Sequence, residues 1–243
     1  MHAALAAVSR FVIDLRVGPR DLATAAALVA SVAVCLPAGA APPLMLIDNH
    51  RPYPAALLPV VGEVRHRRRL RRRGRTKAPG LKPPPGLLAG VVHKVRDAAG
   101  KVVKLKSAAL FGRLGAIQAR VAELGIGTTV NTAHVERLNG TLRCQQARLA
   151  RRPRCVSRDA RRLQWSLGLW RDLHNRVRAH GSLEGGTPAM AMGLSDRVWS
   201  VLEYVRFPVH VSDLDRAIWA EQREQVLTSA LDRDKRRKTV PSS

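Results

Sequence analysis

Apolar and polar positions change their period along this chain, and the changes mark out its elements. In SRFVIDLRV, residues 9–17, β-branched and aromatic side chains dominate, which predicts a strand. Gly18-Pro19 punctuates it. Asp21 stands just before LATAAALVASVAV and predicts the N-cap of an Ala-rich helix that stops near Pro37. The apolar run PLMLI, 43–47, predicts a short buried strand ending at Asp48. A polar turn follows, then a short helix over Tyr53–Val61. LAGVVHKV, 88–95, predicts another strand. KVVKLKS, 101–107, alternates imperfectly and is expected to pair with it as a hairpin through Asp97 and Gly100.

Beyond this point the period is helical. A helix is expected over about 112–124, and a second from about Ala133. In the second, Val135, Leu138 and Leu142 recur on one face, with Asn131 or Thr132 as the cap. A third, about 157–179, has Ser157 as its expected cap. Its apolar stripe is Leu163, Leu167, Trp170 and Leu173 or His174. A Gly185-Gly186-Thr187-Pro188 turn and a short Ala/Met-rich helix come next. The order strand, helix, strand, strands, helices implies a mixed α/β domain with a helical C-terminal part.

Composition narrows the function. The chain has 243 residues, enough for one or two domains with a sizeable core, and 46% of them are apolar, which excludes wholesale disorder. Aromatics are only 4%, so the core must rest on Leu, Val and Ala. The net charge of +24 calls for a polyanionic partner, nucleic acid before a membrane surface. A coding bias toward Arg and Ala would contribute to the same excess. The charge is concentrated: nine of the fifteen residues Glu63–Lys77 are Arg or Lys. Such a run stays in solvent or lies along phosphates, and the Pro/Gly-rich stretch up to Gly86 is expected to be irregular. Arg148, Arg151, Arg152, Arg154, Arg158, Arg161 and Arg162 form a second group. Cys35, Cys144 and Cys155 are too scattered for a zinc site. Residues 22–47 mimic a membrane anchor, but the uninterrupted apolar run is short for a span of roughly 20 residues.

Two acids stand out. Asp48 ends a hydrophobic strand and Glu136 sits near the start of a helix among basic residues. Carboxylates brought together hold divalent ions, and two such ions about 4 Å apart clamp the oxygens of a phosphoryl transfer. Each acid also has a plain reading, as a turn cap and as a surface ion pair with Arg.

VNTAHVERLNGTLR, 130–143, resembles the third-carboxylate helix of the DDE transposases of bacterial insertion sequences. LGLWRDLHNRVRAHGSLEGGTPAMAMGLSDRVWSV, 167–201, resembles the segment that follows it, with Trp170, Asn175, Arg178, His180, Ser182, Leu183, Thr187, Pro188 and Ala189 at matching positions. SRFVIDLRVGPRDLATA and MLIDNHRPYPAALLPVVG continue the likeness upstream, over roughly residues 4–205 in all. The resemblance implies a ribonuclease-H-like mixed sheet with flanking helices. It also implies Mg²⁺- or Mn²⁺-dependent cleavage and transfer of double-stranded DNA at element ends, without a nucleotide cofactor, and admits a homo-oligomer. It makes Asp48 the second catalytic, metal-holding carboxylate and Glu136 the third. Arg65, Arg67, Arg68, Arg69, Arg71, Arg72, Arg73, Arg75, Arg137, Arg143 and Arg178 become the DNA contacts.

The first carboxylate belongs just before SRFVID, near Ala6, where the chain reads Ala-Ala-Leu-Ala-Ala. The first strand is therefore expected to be largely missing and the chain shortened at its N-terminus. Asp14, eight residues on, lies some 25 Å along an extended strand and does not substitute. The expected layout is a catalytic domain over 4–180 with a basic insertion at 63–86, a helical extension over 181–231 and a charged tail over 232–243. Cytoplasmic, nucleoid-associated protein is expected. The alternatives are a non-catalytic DNA-binding remnant and a membrane-associated protein anchored by residues 22–47.

Overall fold

A computed structural model describes residues 1–37, 39–65, 80–150 and 157–207. Residues Met1–Val201 form one compact unit, and a second begins at Leu202. The first is a mixed α/β structure. Its strands and helices run β1 (His2–Ala6), β2 (Phe11–Arg16), α1 (Leu22–Val34), β3 (Met45–Asp48), α2 (Pro52–Val61), β4 (Glu63–Arg65), β5 (Gly80–Lys82), β6 (Ala89–Arg96), β7 (Val102–Phe111), α3 (Leu114–Glu123), α4 (Ala133–Gln145), α5 (Ala160–Arg176) and α6 (Pro188–Ala191). A further helix, α7 (Val201–Arg206), starts at the boundary of the second unit.

The central sheet has the order β3-β6-β7, with β3 parallel to β6 and β7 antiparallel to it. The two-residue period of a strand sorts its side chains. Met45, Ile47 and Ala89 pack with Ala25 and Val29 of α1 and Ala56 and Leu57 of α2. Leu44, Leu46, Leu88 and Val92 pack on the opposite face with Ile117 and Val121 of α3, Ile126 and Val130. The sheet is thus covered on both faces, and Val91 and Val92 are both buried. Gly90 lets α3 approach closely: a Cβ there would meet Val130 Cγ1 at 2.9 Å and Ile117 Cγ2 at 3.3 Å. The β6–β7 hairpin closes as expected. Gly100, at φ +79°, donates to the Asp97 carbonyl at 2.9 Å, and the Asp97 carboxylate accepts from Lys101 N at 2.8 Å.

A second, two-stranded ladder pairs β1 with β2 antiparallel, Ala6 opposite Phe11. Five residues of strand thus form where little of a first strand was expected, because Ala and Leu at 3–6 have the β2 backbone to pair with. The apolar faces of α4 and α5 close over this ladder, joining Val12 and Leu15 to Leu138, Leu142, Leu167 and Trp170. The free edge of β2 is met by side-chain amides of α5. Asn175 Oδ1 accepts from Val12 N and its Nδ2 donates to Val12 O, both at 2.9 Å. Gln164 Oε1 accepts from Val17 N at 2.8 Å, and Nε2 donates to Leu15 O at 2.6 Å. The two amides are eleven residues, about three helical turns, apart and so share a face; that rise of roughly 16 Å matches the five-residue span from Val12 to Val17.

Local signals explain most element ends. Asp21 Oδ1 accepts from Thr24 N at 2.8 Å and caps α1 as expected. Thr187 caps α6. The cap of α5 is not Ser157 but Asp159, whose Oδ1 accepts from Arg161 N at 2.8 Å; the Ser157 hydroxyl donates instead to the Asp159 carbonyl. The Pro/Gly-rich region after the basic run is not wholly irregular either, since β4 and β5 pair antiparallel, with Lys82 and Glu63 at 2.9 Å. The basic run from residue 66 to residue 79 lies outside the described residues. Among the described residues no helix is long and apolar enough to cross a membrane; α1 has 13 residues.

Candidate functional site

The parallel register of β3 and β6 brings the two candidate acids toward one end of the sheet. Asp48, the last residue of β3, is paired with Val92 of β6. Lys94 lies two residues farther along β6, past the end of β3, on the same face of the strand as Val92. Ladder and strand spacings put the Cα atoms of Asp48 and Lys94 about 8 Å apart. Lys94 Nζ in turn meets Glu136 Oε1 at 2.5 Å.

Asp48 is exposed and its carboxylate accepts from Asn49 N at 2.8 Å. Its charge reaches the Tyr53 phenol, which burial first and Asp48 second push above the usual tyrosine value. Glu136 sits in the first turn of α4 and is about half exposed. Thr132, at the N-cap position, makes no cap bond to the backbone and donates its hydroxyl to Glu136 Oε1 at 2.9 Å. Asn131 Oδ1 accepts from Ala133 N at 3.2 Å. The Lys94 ammonium holds the Glu136 carboxyl below the ordinary carboxylate value; partial burial opposes this and the Thr132 hydroxyl adds to it.

Glu136 Oε1 holds both an ammonium and a hydroxyl, and among the described residues no group of three or more His, Cys, Asp or Glu is gathered. The position expected for a first carboxylate, Ala6, ends β1 opposite Phe11. Asp14 is buried and engaged, with Arg16 Nε at 2.7 Å and Leu15 N at 2.8 Å on its two oxygens.

The chain matches no family model, curated protein or solved structure.

Around α4 the groups are cationic. Arg137 and Arg143 are exposed on the helix, and exposed Arg178 donates to Gln145 Oε1, which also accepts from Trp170 Nε1 at 2.8 Å. Arg65 is exposed at the end of β4; Arg67, Arg68, Arg69, Arg71, Arg72, Arg73 and Arg75 lie outside the described residues. Sequence reasoning passed over Arg10. It occupies the β1–β2 turn at φ +60°, donates to the Ala7 carbonyl, and places Nη1 2.7 Å from His134 Nδ1. Its Nε donates to Ser182 Oγ at 3.4 Å, and Ser182 Oγ lies 2.9 Å from His180 Nδ1. Burial, then the charges of Arg10 and Arg137, hold His180 below the ordinary histidine value, and the same causes act on His134.

The aromatic positions divide. Trp170 is buried and its ring stacks on His174 at 4.8 Å, so it belongs to the core. His174 is buried with Nδ1 unpaired and titrates at about 4, chiefly because of burial, with a hydrogen bond to the Arg10 backbone opposing. Trp165 is 61% exposed, and Trp199 lies under the Arg176 guanidinium at 5.2 Å.

Proposed function

We propose that this chain is a DDE-transposase-type protein of a bacterial insertion sequence that engages double-stranded DNA through its cationic side without cutting it. The lineage part of this reading rests on the motifs at 130–143 and 167–201, and the ribonuclease-H-like fold goes with it. The mixed sheet flanked by helices is compatible with that fold. The observation that carries the non-cutting part is the Lys94–Glu136 ion pair, at 2.5 Å. An ammonium sits on the third-carboxylate position and alanine at the first, so among the described residues Asp48 is the one expected acid without an ion pair. DNA contact needs none of them. It needs the excess of arginine, and phosphate contacts of that kind position a duplex without reading its sequence.

A second reading, metal-dependent cleavage and strand transfer, is favoured by Asp48 and Glu136 reaching one end of the β3/β6 pair. Incubating the protein and labelled element-end DNA with Mg²⁺ or Mn²⁺ separates the two. Binding without nicking is expected. Nicking that disappears in both Asp48→Ala and Glu136→Ala would establish the second reading instead, and absence of duplex binding would overturn both. Removing residues 63–77 is expected to lower the salt dependence of DNA binding, since nine cations leave with that segment.

A further inference from the structure

We infer that Arg10, His134, Arg137, His180 and Ser182 form a binding site for a single phosphodiester group of a DNA backbone, next to the Glu136 face of α4. The inference rests on the DNA reading above and deepens it. Three separate pieces of chain contribute. Arg10 comes from the β1–β2 turn, His134 and Arg137 lie on one face of α4 at a three-residue interval, and His180 and Ser182 come from the loop after α5.

The groups converge. Arg10 touches His134 at 2.7 Å and Ser182 at 3.4 Å, Ser182 touches His180 at 2.9 Å, and Arg137 is within electrostatic reach of Arg10, His134 and His180. Among the described residues neither Arg10 nor Arg137 has an ion pair with a carboxylate. Guanidinium groups drawn together without an acid repel one another, and an anion between them removes that cost. Ser182 is exposed and Arg10, His134 and His180 are half-buried, so the cluster is open to a surface ligand. The left-handed backbone of Arg10 is a second sign. A bulky residue held at φ +60°, where glycine would be free of strain, is a conformation that folding alone does not favour.

The ligand is a tetrahedral oxyanion. Guanidinium groups supply donors for its oxygens. Inorganic phosphate shares this chemistry, so the test has two arms. Binding of a fluorescent duplex is followed by anisotropy across a salt series for the full chain, Arg10→Gly and Arg137→Gln. Arg10→Gly keeps the left-handed turn unstrained, and Arg137→Gln alters an exposed helix position, so at least one variant retains the fold. Each substitution is expected to weaken binding and to lower the slope of log K against log salt by about 0.9, the value for one phosphate contact. Full-strength binding with an unchanged slope in both variants overturns the site while leaving the DNA reading intact. If the parent chain binds no duplex, the DNA reading falls. Inorganic phosphate is then titrated against the His134 and His180 ring protons by NMR. Shifts that vanish in both variants uphold the oxyanion site; rings that do not respond overturn it.

Discussion

Asn175 offers the sharpest test of how this chain is held together. Its carboxamide makes two 2.9 Å bonds to the backbone of Val12, a residue with no exposed surface, and Asn175 itself is 3% exposed. Replacing it with alanine strands one N–H and one C=O in a dry interior. Each buried, unpaired group costs about 1–3 kcal/mol, so a loss of roughly 2–5 kcal/mol is expected. For a chain of this size that lowers the melting temperature by about 5–15 °C. Asn175→Leu is the informative companion: it keeps the volume and removes both bonds. Hydrogen bonding predicts that leucine is as damaging as alanine; packing predicts that leucine rescues. Thermal unfolding measures the loss, and hydrogen exchange at the Val12 amide reports the bond directly. A leucine variant within about 0.5 kcal/mol of the parent, or Val12 protection unchanged in the alanine variant, would refute the edge-capping argument.

Other outcomes follow from single features. His174 titrates at about 4 when folded and near 6.5 when unfolded, so the unfolded chain takes up the extra proton. Stability is therefore full above about pH 6.5 and falls as the pH drops toward 4, by about 2 kcal/mol at pH 5. Unfolding curves at pH 7.5 and pH 5 should show this, and His174→Phe, which keeps a ring against Trp170, should flatten it. Gly90→Ala forces a methyl to 2.9 Å from Val130 Cγ1 and is expected to cost about 1–3 kcal/mol in denaturant titrations. Lys94→Ala frees a partly exposed carboxylate; stability should change by less than about 1 kcal/mol, while carboxyl ¹³C NMR finds the Glu136 pKa raised.

What a single sequence could reveal here was local. The Asp21 cap, the Asp97–Gly100 turn, the strand ending at Asp48 and the Leu138–Leu142 face all depend on neighbours within a few residues, and each formed as expected. The α5 cap shows the limit. Ser157 and Asp159 are both cap-forming residues two apart, and only the path of the chain decides which reaches the first free N–H groups. Long-range partners were not legible. Lys94 looks like one more surface lysine until the β3–β6 register places it beyond the end of β3. Asn175 reads as a motif residue until β2 is seen to lack a neighbour on that edge. Arg10 gives no signal at all, since its left-handed turn is set by how Ala6 pairs with Phe11.

Lys94 places a cation of the chain itself on the Glu136 carboxylate, at the end of the sheet where β3 also stops at Asp48. It has one charge, three donors and a flexible stem, and its place is fixed by the β6 ladder. It therefore stabilises the Glu136 carboxylate, but it lacks the vacant coordination positions that phosphoryl transfer draws on in two-cation sites. The arginine surfaces are under no such constraint, since a phosphate contact requires only a donor fork and access. On the proposed reading DNA contact rests on the arginine surfaces alone, and substitutions at Glu136 or Lys94 should leave the salt slope of DNA binding where it was.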